Sequence, residues 1–299
     1  MPLRFVKVEA GGNDLVLVDA RREPVRDAPS LAICLCDRHR GVGGDGLLTL
    51  EGARRGPPLM RMFNPDGTED FCGNGLRCAA AYLVGAGADK ERRRVLLTPR
   101  GRHEARVRPL GRGAFEVEVA LLVPQFEPAA IPVRLPGKAI LRHPLKIAGR
   151  TFAISCVSTG TAHTAIFGPF DQAQGRPEQR RRGGEADVEE RVFQEVSPLL
   201  ERHELFPERT SVLWCRAEGR ERVHMRIWER GVGETFSCGS GVAAATAIGR
   251  TLGLTGDRIE VIMRGGRMTG EWRGEGPVRT TGPVRIVYTG EIRDEEMKP

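Results

Sequence analysis

Short apolar segments, many of them β-branched or alternating with polar residues, run through the whole chain and are interrupted by Gly and Pro. Such a period-two pattern is typical of half-buried β-strands, and the interruptions are typical of turns. The N-terminal residues 1–8 alternate in this way. The further segments predicted as strands are 15–19, 47–50, 59–63, 95–98, 115–120, 152–157, 212–217, 223–229 and 259–263.

Few segments have helical periodicity. The helices predicted from apolar spacing are 31–37, 75–84, 188–197 and 241–252. In 188–197, Val188, Val192, Phe193 and Val196 share one face, and Pro198 should end the helix because its ring cannot continue the hydrogen-bond ladder. The Pro-rich residues 123–136 are predicted to link two halves. Interspersed strands and helices indicate an α+β fold.

One motif occurs twice, once in each half of the chain. The first copy reads Arg61-Met62-Phe63-Asn64, Glu69 and Cys72-Gly73-Asn74-Gly75, and the second reads Arg226-Ile227-Trp228-Glu229, Glu234 and Cys238-Gly239-Ser240-Gly241. An Ala-rich apolar stretch follows each copy. This repeat predicts two related domains, one of residues 1–122 joined by a C-terminal strand within 284–299, and one of residues 123–283.

The motif places each cysteine where a strand turns into a helix. Glycines after the cysteine let a ligand approach the backbone closely. The first N–H groups of a helix lack internal partners and lie at its positive end, so they bind a carboxylate readily. The same field should lower the pKa of a cysteine thiol there. A single such cysteine is more often a small apolar packing residue, but the repeat favours two functional thiols on opposite faces of one carbon atom.

Composition excludes several other classes of protein. The chain has 299 residues, a net charge of +7 and seven cysteines. The basic residues are dispersed among acids and aromatic residues are few, which argues against nucleic-acid binding; the densest basic cluster lies in the Pro- and Gly-containing segment 172–184, expected to be a solvated loop. No run reaches the ~20 apolar residues of a membrane span. An odd number of cysteines and the absence of a signal-peptide pattern lead us to expect a cytoplasmic protein.

Motifs for common cofactors are absent from the sequence. It contains no P-loop, no GxGxxG after a strand and no HExxH, and its five lysines lie in no evident pyridoxal-phosphate context. Cys34 and Cys36 have no second pair at metal-ligand spacing and are expected on a buried strand or helix edge. We therefore expect neither a cofactor nor a metal.

Taken together, these motifs resemble the diaminopimelate epimerase family, which consists of cofactor-independent enzymes with two similar α+β domains. The matching segments, besides the two cysteine motifs, are Gly12-Asn13-Asp14-Leu15-Val16, Asp37-Arg38-His39, Gly41-Val42-Gly43-Gly44-Asp45-Gly46, Phe63-Asn64-Pro65-Asp66-Gly67 and Trp228-Glu229-Arg230-Gly231-Val232-Gly233-Glu234. The resemblance implies two pseudo-symmetric domains with the active site in the cleft between them, a small amino-acid substrate and a homodimer.

The resemblance also implies roles for individual residues. Cys72 and Cys238 would be the thiolate and thiol that exchange the α-proton. The residues implied in substrate binding are Asn13, Asn64, Gly73, Asn74, Thr161, Ser211, Glu229, Arg230, Gly239 and Ser240, with His163 and Glu229 tuning the site. From the residues alone, the asparagines could instead belong to turns, His163 to a core, and Glu229 with Arg230 to an exposed charged pair.

Two positions depart from the family pattern. Thr161 and Ser211 stand where the family usually has asparagines that recognise the distal end of the substrate, and a hydroxyl offers fewer hydrogen bonds than an amide. The function implied is interconversion of LL- and meso-diaminopimelate in lysine and cell-wall synthesis. A racemase of another amino acid, such as histidine, is the main alternative; a non-catalytic binding relative and a nucleic-acid-binding module follow.

Overall fold

Two units make up the chain in a computed structural model that describes residues 2–52, 56–85, 92–168 and 188–293. Unit 1 comprises Met1–Ala120 and Thr281–Pro299, and unit 2 comprises Leu121–Thr280. The arginine-rich segment 172–184 lies outside the described residues. No helix in the described ranges is long and apolar enough to span a membrane.

Unit 1 is built around a central helix. Its described elements are β1 (Leu3–Ala10), β2 (Asn13–Val18), α1 (Ala28–Cys36), β3 (Gly46–Glu51), β4 (Leu59–Phe63), β5 (Glu69–Asp70), α2 (Gly73–Gly85), β6 (Arg93–Thr98), β7 (Gly101–Gly111), β8 (Ala114–Ala120) and, from residue 281, β17 (Arg279–Ile292). β2 pairs antiparallel with β1 and parallel with β3; β4 pairs antiparallel with β3 and parallel with β6; β6, β7 and β8 are antiparallel neighbours. β17 pairs with β1 and β8 and closes the ring of strands around α2.

Unit 2 contains the equivalent elements. They are a 3-10 helix (Pro128–Ala130), β9 (His143–Ile147), β10 (Arg150–Ser158), β11 (Ala162–Gly168), α3 (Glu190–Glu201), β12 (Ser211–Glu218), β13 (Arg222–Glu229), β14 (Gly233–Thr235), α4 (Gly239–Thr251), β15 (Arg258–Met263) and β16 (Gly266–Glu271). β11 pairs antiparallel with β10 and parallel with β12, β13 antiparallel with β12 and parallel with β15, and β15 antiparallel with β16.

The two units share one succession of strand pairings. In each, an antiparallel pair is followed by a parallel, an antiparallel, a parallel and an antiparallel pair, with one helix before the third strand and one after a short hairpin strand. The predicted α+β fold of two pseudo-symmetric domains is confirmed. Several strands, among them β7 and β11, lie outside the segments predicted from the sequence.

The central helices have small residues because strands surround them. All residues from Gly73 to Tyr82 in α2 are buried, and so are all from Gly239 to Gly249 in α4. A helix buried on every side needs an apolar circumference, and alanine lets the strands approach. A Cβ at Gly75 would lie 2.7 Å from the Leu48 side chain, and one at Gly241 would lie 3.2 Å from Leu213. These glycines are therefore required by close packing next to each cysteine.

Two local predictions were wrong. Pro198 lies inside α3, which continues to Glu201, because Val196 and Leu200 are fully buried and fix the last turn although proline lacks an N–H. The residues 123–136 are not a free linker, since Ile131 and Val133 are buried in the core of unit 2 with Phe193 and Trp214. Tertiary burial outweighs the local Pro signal in both places.

Candidate active site

Both motif cysteines lie at the start of a central helix. Cys72 directly precedes α2, and its Sγ accepts a hydrogen bond from the Gly75 amide at 3.2 Å. Cys238 is the N-cap of α4, and its Sγ accepts from the Gly241 amide at 3.4 Å. Each sulfur thus takes the capping position usually held by Ser, Thr or Asp, and each is held beside unpaired amides at the positive end of a helix.

Cys238 differs from the sequence-based expectation in its protonation. Burial raises the pKa of this thiol well above its ordinary value, and the nearby Glu229 carboxylate raises it further. Hydrogen bonds from Ser240 and the Gly241 amide lower the pKa but do not outweigh these effects. The side chain is only 6% exposed. The pKa of Cys238 is therefore shifted in the direction opposite to the lowering expected at a helix N-terminus, because desolvation and a carboxylate dominate.

A chain of hydrogen bonds connects Cys238 to a buried histidine. Ser240 Oγ lies 3.3 Å from Cys238 Sγ and 3.3 Å from His163 Nε2, while His163 Nδ1 lies 2.9 Å from the Thr161 carbonyl oxygen. Because a carbonyl only accepts, the proton is assigned to Nδ1, and in the neutral ring Nε2 accepts from the Ser240 hydroxyl. Ser240 Oγ can then accept from the Cys238 thiol.

Backbone and hydroxyl contacts fix Ser240 further. Thr159 Oγ1 donates to the Ser240 carbonyl at 3.0 Å, and Thr161 Oγ1 donates to Ser240 Oγ at 3.5 Å. Thr161, one of the two positions that depart from the family pattern, therefore contacts another predicted site residue. Thr159 was not found by sequence analysis, because a lone threonine before Gly160 has no distinguishing signal.

Glu229 is the last residue of β13, and Arg230 begins the turn that leads to β14. Glu229 Oε1 accepts from Thr235 Oγ1 at 2.5 Å, and Glu229 also hydrogen-bonds to Cys238. The Arg230 amide donates to Ser211 Oγ at 3.1 Å, and its guanidinium donates to the Glu208 carbonyl at 3.3 Å. The structure brings Glu229 to the thiol and brings Ser211 to Arg230, as neighbours on one hairpin.

In unit 1, the predicted polar residues surround the corresponding hairpin. Asn13 is the first residue of β2, and its buried Oδ1 has no hydrogen-bond partner among the described residues. Asn64 follows β4, and its side chain donates to Thr68 Oγ1 at 3.0 Å. Asn74 is buried in α2, and its side-chain oxygen accepts a hydrogen bond from Arg77. An unsatisfied buried oxygen such as Asn13 Oδ1 is costly and fits a ligand donor.

An arginine–glutamate pair crosses each hairpin just before its cysteine. Arg61 binds Glu69 through two nitrogens at 2.9 and 2.7 Å, and Arg226 binds Glu234 at 3.1 and 2.8 Å. These residues recur in both copies of the motif, although the sequence alone suggested no role for them. The pairs hold the two hairpin strands together, and so set the direction in which the chain enters each helix.

The fold recurs in solved structures. The chain matches a hydroxyproline epimerase from Agrobacterium vitis with a TM-score of 0.67 and 13% identity, covering 97% of this chain and 91% of that one. It matches a phenazine biosynthesis protein of the PhzF family from Bacillus anthracis with a TM-score of 0.66 and 16% identity, covering 98% and 99%. At these identities the likeness shows a shared two-domain architecture.

Sequence comparison identifies the family. The model of the diaminopimelate epimerase family matches residues 5–120 and 185–287. The diaminopimelate epimerase of Pelotomaculum thermopropionicum is 37% identical over 97% of this chain and 98% of its own length, and that of Moorella thermoacetica is 35% identical over 97% and 99%. The chain belongs to the diaminopimelate epimerase family and is an isomerase of the epimerase and racemase class.

Proposed function

We propose that this protein interconverts LL- and meso-diaminopimelate by a two-base reaction between the thiols of Cys72 and Cys238. The observation that carries the proposal is the pair of cysteines, each at the N-terminus of a buried central helix, in a chain of this family. The substrate is inferred from the diaminopimelate named in the relatives, and the reaction type is inferred from the positions of the two cysteines.

In this scheme the α-carboxylate is bound by helix N-terminal amides. The amides proposed for this are those of Gly73, Asn74, Gly239 and Ser240, all in first turns. Two positive helix ends on one carboxylate would stabilise the negative charge that develops when the α-proton leaves. Asn13, whose Oδ1 is buried and lacks a partner among the described residues, is proposed to accept from a substrate N–H group.

The proton transfer assigns different roles to the two sulfurs. The raised pKa of Cys238 keeps it protonated at neutral pH, so it is proposed to enter as the acid. The scheme then requires Cys72 as the thiolate that removes the α-proton. Cys238 delivers its proton to the opposite face of the carbanion, which leaves Cys72 protonated and Cys238 ionised, ready for the reverse reaction. Ser240 is proposed to stabilise the Cys238 thiolate as it forms by turning its hydroxyl proton from His163 Nε2 to the sulfur.

Arg230 is proposed to bind the distal carboxylate of diaminopimelate. A guanidinium pairs with a carboxylate through two parallel hydrogen bonds, which favours a dicarboxylic substrate. Its guanidinium donates to the Glu208 backbone carbonyl at 3.3 Å. Asn64 is proposed to position the substrate's polar groups.

A racemase for another amino acid remains the second candidate. The specific observation is that Thr161 and Ser211 already contact site residues, Ser240 and the Arg230 amide, so each hydroxyl offers fewer further hydrogen bonds to the substrate than an asparagine amide would. Sites that lose fitted polar contacts lose discrimination.

A substrate panel in heavy water tests the proposal. LL-diaminopimelate, meso-diaminopimelate, histidine, proline and alanine are each incubated with the protein in ²H₂O, and α-deuterium is measured by mass spectrometry. We expect the fastest incorporation with diaminopimelate. Faster incorporation into histidine or another monocarboxylic amino acid would support the second candidate instead.

A further inference from the structure

A buried carboxylate outside the repeated motif touches the turn that carries Glu229 and Arg230. Glu201 is the last residue of α3 and is 2% exposed. Its Oε2 accepts from the Trp228 indole N–H at 2.8 Å, and its Oε1 accepts from the Gly231 amide at 2.9 Å. Arg209 Nη1 lies 3.6 Å from the same Oε1.

These two acceptor bonds bracket the turn. Trp228 precedes Glu229, and Gly231 follows Arg230, so one carboxylate contacts the residues on both sides of this dipeptide. The turn is closed internally by the Val232 amide, which donates to the Glu229 carbonyl at 3.1 Å. Between the two Glu201 contacts, the Arg230 amide donates to Ser211 Oγ. Two consecutive amides of the tip are thus held by side chains that are distant in sequence.

The helix that carries Glu201 is itself firmly anchored. Phe193, Val196 and Leu200 of α3 are fully buried. The Glu201 backbone carbonyl also accepts from the Thr210 amide at 3.2 Å, next to Ser211. The packing of α3 therefore fixes the Glu201 carboxylate, and the carboxylate in turn fixes the Glu229 turn.

We propose that Glu201 is a positioning residue that holds Glu229 against the Cys238 thiol and aims Arg230 at the substrate. The catalytic part of this proposal rests on the proposed function, whereas the positioning of Glu229 does not. Burying a carboxylate is expensive, and for stability alone an apolar side chain would serve equally well or better. Its two fitted acceptor bonds instead specify the conformation of a turn whose residues touch the reacting group.

The position of the Glu229 carboxylate can be followed through the pKa of the Cys238 thiol, without substrate. Because Glu229 raises the pKa of the Cys238 thiol, moving its carboxylate away should lower that pKa. In Glu201→Gln, one acceptor oxygen is replaced by an NH₂ group that must face the Trp228 or Gly231 donor. The turn should shift, and the pH midpoint for alkylation of Cys238 should fall.

The test measures alkylation of Cys238 by iodoacetamide as a function of pH, using peptide mass spectrometry on the full chain. We expect Glu229→Gln to lower the pH midpoint of Cys238 alkylation by the largest amount. Glu201→Gln should lower it in the same direction, and Trp228→Phe, which removes only one donor to Glu201, should lower it less. Glu195→Gln, an exposed glutamate on the same helix, is the matched control and should leave the midpoint unchanged. Thermal unfolding of each variant verifies that it is folded.

Activity is measured separately on the same variants. We expect kcat of Glu201→Gln to fall about tenfold or more, since small misplacements of reacting groups cost up to about 10²-fold. A Cys238 midpoint in folded Glu201→Gln that equals that of Glu195→Gln would overturn the positioning role, whatever the activity. A shifted midpoint with undiminished turnover would support positioning and show that turnover does not depend on the placement of the Glu229 carboxylate.

Discussion

The two hairpins that lead into the cysteines have similar sequences but are held in different ways. In unit 1 the turn after Asn64 is stabilised by its own residues: the Asn64 amide donates to the Thr68 carbonyl at 2.8 Å, and Asp66 accepts from the Thr68 amide and hydroxyl. In unit 2 the turn after Glu229 is held from outside, by Glu201 and Ser211. A repeated motif therefore preserves the position of a thiol while the support around it changes.

The same comparison explains why the thiols are not equivalent. At corresponding places in the two motifs, Asn64 is neutral and Glu229 is charged. Glu229 reaches the buried Cys238 and raises its pKa, whereas Cys72 is less buried. In the proposed reaction, the burial of Cys238 and the charge of Glu229 together favour this cysteine as the acid.

The largest effect is expected from removing either sulfur. Cys72→Ala and Cys238→Ala should each lower the epimerisation rate by at least about 10³-fold, because a two-base reaction stops when one base is missing and general acid–base groups contribute about 10²–10⁴-fold. Circular dichroism should show both variants folded. Cys34→Ala, which removes a partly exposed cysteine of α1, is the matched control and should keep full activity. Substantial turnover by either site variant would refute a two-thiol reaction.

The two arginine–glutamate pairs should differ in their effect on stability. Arg226 is 4% exposed and lies 3.7 Å above the Phe193 ring, so Glu234→Gln weakens a buried, charged hydrogen bond worth about 1.5–3 kcal/mol. The side chains of Arg61 and Glu69 are each 34% exposed, and Glu69→Gln should cost about 0.2–1 kcal/mol. Urea unfolding measures both. Equal losses would show that burial does not distinguish the two hairpins.

Making the second motif resemble the first should change the protonation of Cys238. Glu229→Gln removes the charge that raises the pKa of this thiol, so the pKa should fall toward its ordinary value while burial still holds it above. The sign follows because a negative neighbour disfavours the thiolate. The pH dependence of Cys238 alkylation reports the change. A midpoint that stays in place would mean that burial alone sets the protonation of Cys238.

The smallest effect is expected at the two departures from the family pattern. Thr161→Asn with Ser211→Asn should lower KM for diaminopimelate about fivefold, since two added amide hydrogen bonds at the low end of their range contribute about 0.5 kcal/mol each. The Asn oxygen at 211 can still accept from the Arg230 amide. Steady-state kinetics measure KM for diaminopimelate in the parent and the variant. A raised KM in the variant would show that the hydroxyls are fitted to a different substrate.

The sequence allowed much of this arrangement to be predicted, and the limits have physical causes. Period-two segments and the Cys-Gly-x-Gly repeats located most strands, the central helices and both thiols, because these features depend on local patterning. The turn residues Asn64-Pro65-Asp66-Gly67 are likewise a local signal. Glu201 could not be found this way: a glutamate ending an amphipathic helix is ordinary until the tertiary fold brings Trp228 and Gly231 to it.

The protonation of Cys238 was beyond prediction for a similar reason. Its place at a helix N-terminus is visible in the sequence and points to a lowered pKa. Its burial and the approach of Glu229 depend on the folded unit, and they reverse the sign. Pro198 is a similar case. The proline predicts the end of the helix, but α3 continues past it because Leu200 is buried in the folded unit.

The central claim, that two thiols act on opposite faces of one carbon, is tested most directly by the position of deuterium early in the reaction. LL-diaminopimelate is incubated with the protein in ²H₂O, the reaction is quenched below one tenth of completion, and the two diastereomers are separated and analysed by mass spectrometry. A two-base reaction predicts α-deuterium in the newly formed meso product and none in the remaining LL substrate. Equal deuterium in both diastereomers from the first time point would show a single base serving both faces and would contradict the account.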